Sequence, residues 1–372
     1  MPQIKVLFKM FYLYHKAAYD PLIDVFEEDD RFDVYLSLSH ELVRRFFIFE
    51  IDKTKPYLEQ FKREGHQITY EEEHFDVVIC PDTVNEKKYG KTMLCLVHHG
   101  MGLKTVLFRN LKKHNSHHYN ILVEGQYRVE TLQESGVLNG SEVHKVGLPK
   151  LDPLFWDGHY DREEILNNLG LDPAKKTVLF APTYKPTCIY DVKDAIFEET
   201  AAYNLIVKIH HYAWMGKFAR HSQHRVIQRR IRKYEHAVLI PKETYNIIPL
   251  MYAADTLVAE ASSTVYNFLA TGKIGVIYDL DHDNLRHSDG QHILNIDNRE
   301  FLKDAYVHVS SPEELADGIT RALHPTPEMQ QAADKQREYY YYKPDGKSSL
   351  RTREKIYDLY QEGGHLNDPD NV

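Results

Sequence analysis

The chain is poor in cysteine. Cys80, Cys95 and Cys188 are its only three in 372 residues, widely spaced and without a C-x-x-C pair. That excludes a disulfide framework and a zinc knuckle, and it fits a reducing cytoplasm. No apolar run approaches the roughly 20 residues that span a bilayer, so membrane contact is expected only at the periphery. The opening MPQIKVLFKMFYLYHK has an apolar run broken by Lys5 and Lys9 and no small-residue cleavage site, and it reads as a first strand rather than a leader. Positive charge is in deficit as well. Against 55 Asp and Glu stand 46 Lys and Arg, a net charge of −9, which argues against a protein that tracks nucleic-acid phosphates. Any anion site must therefore be local.

What is present is an alternation of short apolar runs with longer segments of helical period. IKVLFKMF, FDVYLSLS, FDVVICP, MLCLVHH, YNILVEG and EVHKVGLP read as strands, with helix-like stretches such as DPLIDVFEE and VETLQESG between them. The periodicity lapses in KLDPLFWDGHYDREE and then restarts with KTVLFAPTY, NLIVKIHH, HAVLIPK, DTLVAEAS, KIGVIYDLD and AYVHVSS. This rhythm predicts an α/β protein of two doubly wound parallel-sheet domains, at 1–158 and 159–327. A C-terminal helical tail, 328–372, is interrupted by YYYYKPDGKSS. Two such lobes make a cleft, where ligands collect.

Four polar clusters fall at strand exits, where open parallel sheets bind ligands. They are His98, His99 and Gly100; Pro182 to Lys185; Lys208, His210 and His211; and Glu260 with Ser262, Ser263 and Thr264. The expectation is that all four face one crevice. Ser262 to Thr264 open a helix, where free N–H groups favour a phosphate, although the same residues serve as ordinary N-caps. Thr183 and Lys185 offer a hydroxyl and a cation to the same anion, or form a plain polar loop. Lys208 and His210 alternate along one strand and share a face. His99 is the candidate general base, since imidazole titrates near neutrality. The alternative is a histidine hydrogen-bonded at a domain interface. His98 is assigned a structural role. Gly100, Lys104 and Glu260 complete the expected cleft lining.

Metal ligation is weakly suggested at best. His114, His117 and His118 form one group and Asp279, Asp281 and Asp283 another, but neither has zinc-finger or EF-hand spacing. No metal or other cofactor is expected to be required. Two basic runs, LKTVLFRNLKKH and KFARHSQHRVIQRRIRK, have the look of amphipathic helices that rest on anionic lipid, or of ordinary solvated helices.

In order along the chain these stretches resemble the CDP-glycerol glycerophosphotransferases of teichoic-acid and capsule biosynthesis, a GT-B group. HHGMGLK is similar to the family's H-G-T-P-L-K, VGLPKLD to G-N-P-R-x-D, LFAPTYK to A-P-T-W-R and VKIHH to K-x-H-P. VAEASSTVYNF is similar to T-D-Y-S-S-x-x-F-D-F and PDGKSS to the C-terminal D-G-K. The length resembles that of short, primase-like members. The resemblance implies a GT-B fold, a base at His99 and a second functional histidine at His210. It also implies diphosphate contacts from Thr183, Lys185, Ser262 and Ser263. Its substrates would be a CDP-linked polyol donor, CDP-glycerol above all, and a lipid-linked saccharide or polyol-phosphate acceptor. The enzyme would then be cytoplasmic, peripheral on the inner face of the cell membrane. Met101 and Gly102, Tyr184 and Lys185, Glu260 and Ala261, and Tyr266 and Asn267 depart from the family pattern and bear on the donor's polyol and base. Two rival readings stay open. One is a GT-B glycosyltransferase or epimerase using a UDP- or CMP-sugar, the other a non-catalytic two-lobed binder.

Overall fold

The computed structural model describes residues 2–39, 42–45, 49–52, 54–85, 88–98, 106–113, 118–215, 223–280 and 300–363. These fall into two compact units. Of the described residues, those up to Phe155 together with those from Glu338 on form the first, and Trp156–Arg337 forms the second.

In the first unit the strands are β1 (Ile4–Met10), β2 (Phe32–Leu38), β3 (Leu42–Arg45), β4 (Phe49–Asp52), β5 (Val77–Cys80), β6 (Met93–Val97), β7 (Asn120–Val123) and β8 (Glu142–Lys145). Six of them make one parallel sheet in the order β2-β1-β5-β6-β7-β8. The sequence dictates this burial. VVIC, MLCLV and NILV are buried at every residue, as strands covered by helices on both faces must be. The remaining pair, β3 and β4, forms an antiparallel ladder from Leu42↔Asp52 to Arg45↔Phe49.

The second unit carries β9 (Thr177–Phe180), β10 (Asn204–Val207), β11 (Ala237–Leu239), β12 (Thr256–Ala259), β13 (Val276–Tyr278) and β14 (Val307–Val309). All are parallel, in the order β11-β10-β9-β12-β13-β14. That is the Rossmann order: the chain starts in the middle, works to one edge, then returns to build the other half. The order reverses between β9 and β12, and it is outside the carboxyl ends there that such sheets bind ligands.

The C-terminal segment is built into the first unit rather than appended to it. Tyr342 N–H donates to Glu124 O at 2.7 Å, and Arg351 Nε to Val146 O at 2.9 Å. Two glycines make room for the crossing chain. A Cβ on Gly125 would lie 2.0 Å from Tyr340 O, and one on Gly147, whose φ is +97°, would lie 2.4 Å from Ser348 Oγ. Asp152 locks the junction. Its Oδ1 accepts from Ser348 N at 3.0 Å and its Oδ2 from Ser349 N at 2.6 Å, capping the helix Ser348–Gln361 from a distant part of the chain. VGLPKLD and PDGKSS are thus two halves of one joint. Asp152→Ala strands two buried donors, so a loss of about 2–4 kcal/mol is expected, with Asp152→Asn falling between. Denaturant unfolding followed by circular dichroism checks this; stability unchanged in Asp152→Ala would mean that the cap holds nothing.

Candidate active site

Three of the four expected clusters converge at the switch point of the second sheet. The ladder runs one residue past the strands on either side: Ala181 N donates to Val258 O at 3.0 Å and Lys208 N to Phe180 O at 2.9 Å. The exits of β10, β9 and β12 therefore lie side by side at one level, and neighbouring strands are about 4.8 Å apart.

Glu260, just past β12, organises this edge. It is 2% exposed, and its carboxylate accepts from Thr183 N at 2.8 Å and from Cys188 N at 2.5 Å. Burial raises its pKa, against which these backbone donors work. The carboxylate thus pins both ends of the loop that follows β9. Inside that loop the Thr183 hydroxyl donates to Pro186 O, across a cis Lys185–Pro186 bond, and Gln223 Nε2 donates to Tyr184 O at 2.8 Å. Lys185 is left exposed.

Lys208 and Ser262 have a different character. Lys208 is 9% exposed, and burial pushes its pKa down to about 8, with Glu243 a minor opposing influence. Ser262 is 7% exposed, and its hydroxyl makes no hydrogen bond among the described residues. Such a hydroxyl is normally satisfied, and a desolvated ammonium normally finds a carboxylate. Ser263 is exposed and Thr264 half-buried. The helix they open, Ser263–Leu269, is short and takes no side-chain cap from Ser262.

His210 sits beyond Lys208 in a nest of rings. Its Nδ1 accepts from Tyr212 N at 3.1 Å, and its ring lies 4.5 Å from Tyr184 and 5.2 Å from Tyr212. In the neutral ring that bond leaves the proton on Nε2. Tyr184 lies in the expected Pro182–Lys185 cluster, whereas Tyr212 and Gln223, which pack against it or hold its loop, were not singled out by the motifs. Gln223 opens a helix within a basic run, where only its charge attracted notice.

The fourth cluster belongs to the first unit. Its His99 and Gly100, and the Lys104 expected to line the cleft, lie outside the described residues. His98, half-buried, follows β6, and Tyr19 Oη donates to Val97 O at 2.7 Å, fixing the end of that strand. Near His98 stand His15, which no motif singled out, and Lys150 of the VGLPKLD motif. His15 Nδ1 accepts from Phe11 N at 3.1 Å. Burial first, then the positive neighbours His98 and Lys150, push its pKa down to about 3. Burial also lowers Lys150, to about 8.

Of the proposed metal sets, His114, His117, Asp281 and Asp283 lie outside the described residues. Asp279 bonds His308 Nδ1 at 2.9 Å. The described part of each basic run buries some of its apolar residues. Leu107 and Leu111 of Val106–Lys113 are buried, as is Ile227 of Gln223–Ile231. Among the described residues no helix is long and apolar enough to cross a membrane.

Two Rossmann-type units in tandem are the GT-B architecture, and similar solved structures agree. A structure of the wall teichoic acid polymerase TagF is similar with a TM-score of 0.68 at 14% identity, covering 97% of this chain and 90% of that one. UDP-GlcNAc 2-epimerase from Neisseria meningitidis is similar with a TM-score of 0.58 at 12% identity, covering 95% and 100%. At these identities the likeness establishes the fold. The family is established by sequence: the profile of CDP-Glycerol:Poly(glycerophosphate) glycerophosphotransferase matches residues 39–358, and the chain belongs to that family. Teichoic acid glycerol-phosphate primase of Bacillus subtilis (strain 168) is 25% identical over 179 residues, 48% of this chain and 44% of the primase. The matched stretch is thus less than half of that relative's length.

Proposed function

We propose that the protein transfers glycerol phosphate from CDP-glycerol to a hydroxyl of a polyol-phosphate or lipid-linked acceptor in teichoic-acid synthesis. The observation that carries this reading is the pairing of a buried, desolvated Lys208 with the unfilled Ser262 hydroxyl at the switch point of the second sheet. An extended diphosphate ester bridges their strand exits, two strand spacings or about 10 Å apart. In the reaction the acceptor oxygen attacks the β-phosphorus while its proton passes to His99. The bond from that phosphorus to the bridging oxygen breaks, and CMP leaves with the electron pair.

Lys208, Lys185, Ser262, Ser263 and Thr264 hold the charge of the departing phosphate, and His210 Nε2–H donates to it. Preorganised charge of this kind supplies much of such an acceleration. Thr183 shapes the loop through its bond to Pro186, and Glu260 orients that loop without meeting the donor. Since lysines and hydroxyls carry the charge, transfer proceeds without a metal. Because apolar residues of the basic helices are spent on the core, membrane association is electrostatic: cosedimentation with phosphatidylglycerol vesicles is expected at low salt and lost at high salt.

A nucleotide panel tests the donor. CDP and CMP are expected to raise the melting temperature more than UDP does, and phosphorus NMR in EDTA is expected to show CMP released from CDP-glycerol. A preference for UDP would favour a sugar-nucleotide enzyme, and absence of CMP release with any acceptor would favour a binding protein.

A further inference from the structure

The geometry points to a second anion site, a groove on the first unit that holds a polyol phosphodiester chain; its identification as acceptor rests on the function proposed above. Strand β8 is an edge of its sheet. Between it and the helix Ser348–Gln361 runs a groove of about 610 Å³, lined by Lys145, Tyr342, Lys347, Leu350 and Lys355 among others.

The groove's charge is set by which of its ions are already paired. Arg351 is engaged by Asp345 at 2.8 and 3.0 Å. Glu354 is engaged by Arg31 at 2.7 and 3.1 Å and by Arg353 at 2.6 Å. What remains is Lys145, Lys347 and Lys355 against Asp358, a local positive excess on a chain whose net charge is −9. The Tyr342 ring gathers the cations: Lys145 Nζ lies 5.3 Å from its centroid, Lys343 Nζ 5.2 Å and the Arg351 guanidinium 5.7 Å. Like charges held this close repel unless an anion joins them.

The PDGKSS motif gains a purpose here. Asp345 Oδ1 accepts from Lys347 N at 3.1 Å, Gly346 turns with a φ of +75°, and Asp152 caps the next two residues. The backbone on both sides of Lys347 is thereby fixed at the lip of the groove. The lysines stand along the groove where successive phosphates of a threaded chain could meet them, and Leu350 is its one exposed large apolar residue. Two strand spacings, about 10 Å, separate β8 from β6, whose exit carries His98. A chain lying along this edge would hold its earlier phosphates in the groove while its end reaches that exit.

Binding of a fluorescent oligo(glycerol phosphate) to the full chain, followed by anisotropy, is the test. In Lys347→Glu with Lys355→Glu, affinity is expected to fall at least about tenfold, and the salt dependence of log affinity to flatten by about 1–2. The milder Lys347→Ala with Lys355→Ala should show a smaller loss in the same direction, which separates charge from misfolding. CDP affinity, read in the same variants, is expected to stay within about twofold, since neither lysine belongs to the donor site. Unchanged oligomer binding in both double variants would overturn the groove. So would phosphatidylglycerol vesicles binding through these lysines while the oligomer does not bind at all. Failure of wild-type protein to bind CDP would instead strike the proposed function and leave the groove's own measurement intact.

Discussion

Replacing His99 by alanine is expected to slow glycerol phosphate transfer by about a hundred- to ten-thousandfold, the usual weight of a general base, while CDP-glycerol still binds. The asymmetry follows from the fold. Every residue assigned to the donor's phosphates comes from the strand exits of the second sheet, where Glu260 and Gln223 pin the loop that carries Lys185, whereas His99 follows β6 of the first. Removing it takes away the acceptor's proton sink and leaves the donor's charge partners as they were. CMP release measured at saturating donor, alongside a donor titration by calorimetry, distinguishes the two quantities. Turnover within a few-fold of wild type would remove His99 from the chemistry. Loss of donor affinity in step with turnover would make it a binding residue instead.

The twelve strand runs read from the sequence all appear as strands of the two sheets, most legibly the central ones, whose residues, buried on both faces, leave an unbroken apolar signature. The same signature places the polar residues that end each run at the carboxyl edge. The β3–β4 pair escaped notice because Phe46, Phe47 and Ile48, between its strands, include none of the usual turn-forming residues. The joint between Asp152 and Ser348–Ser349 was equally hidden. A carboxylate capping a helix nearly two hundred residues away leaves no local period, and it is why a tail read as a separate segment belongs to the first unit. Glu260 was legible as a residue of the site but not in its function. At a strand exit a carboxylate looks like a ligand contact, and only its bonds to two backbone donors show that it holds a loop. His15 was hidden for the opposite reason, since it stands apart from the polar runs at the strand exits.

Lys208 supplies the second large effect, and its sign separates a binding residue from a structural one. Burial lowers its pKa from the ordinary 10.5 to about 8, so the unfolded chain holds this proton more tightly than the folded one. At about 1.4 kcal/mol per unit, the mismatch costs the ligand-free fold on the order of 3 kcal/mol below pH 8. The cost fades as pH rises from about 8 to 10.5. Lys208→Met is therefore expected to stabilise the empty protein at pH 7, by about 1–3 kcal/mol. The same substitution removes the cation that meets the diphosphate, so CDP affinity should fall about ten- to a hundredfold, the worth of one charge-assisted hydrogen bond. In wild-type protein CDP affinity should decline as pH passes about 8, where the free ammonium loses its proton, and in Lys208→Met that step should vanish. Thermal unfolding with and without CDP, repeated across this pH range, reads all of these quantities. A variant that is less stable when empty and binds CDP as before would make Lys208 a packing residue and detach the diphosphate from this edge of the sheet. A variant more stable when empty yet deaf to CDP is the pattern of a fold that tolerates a buried charge for the sake of its ligand.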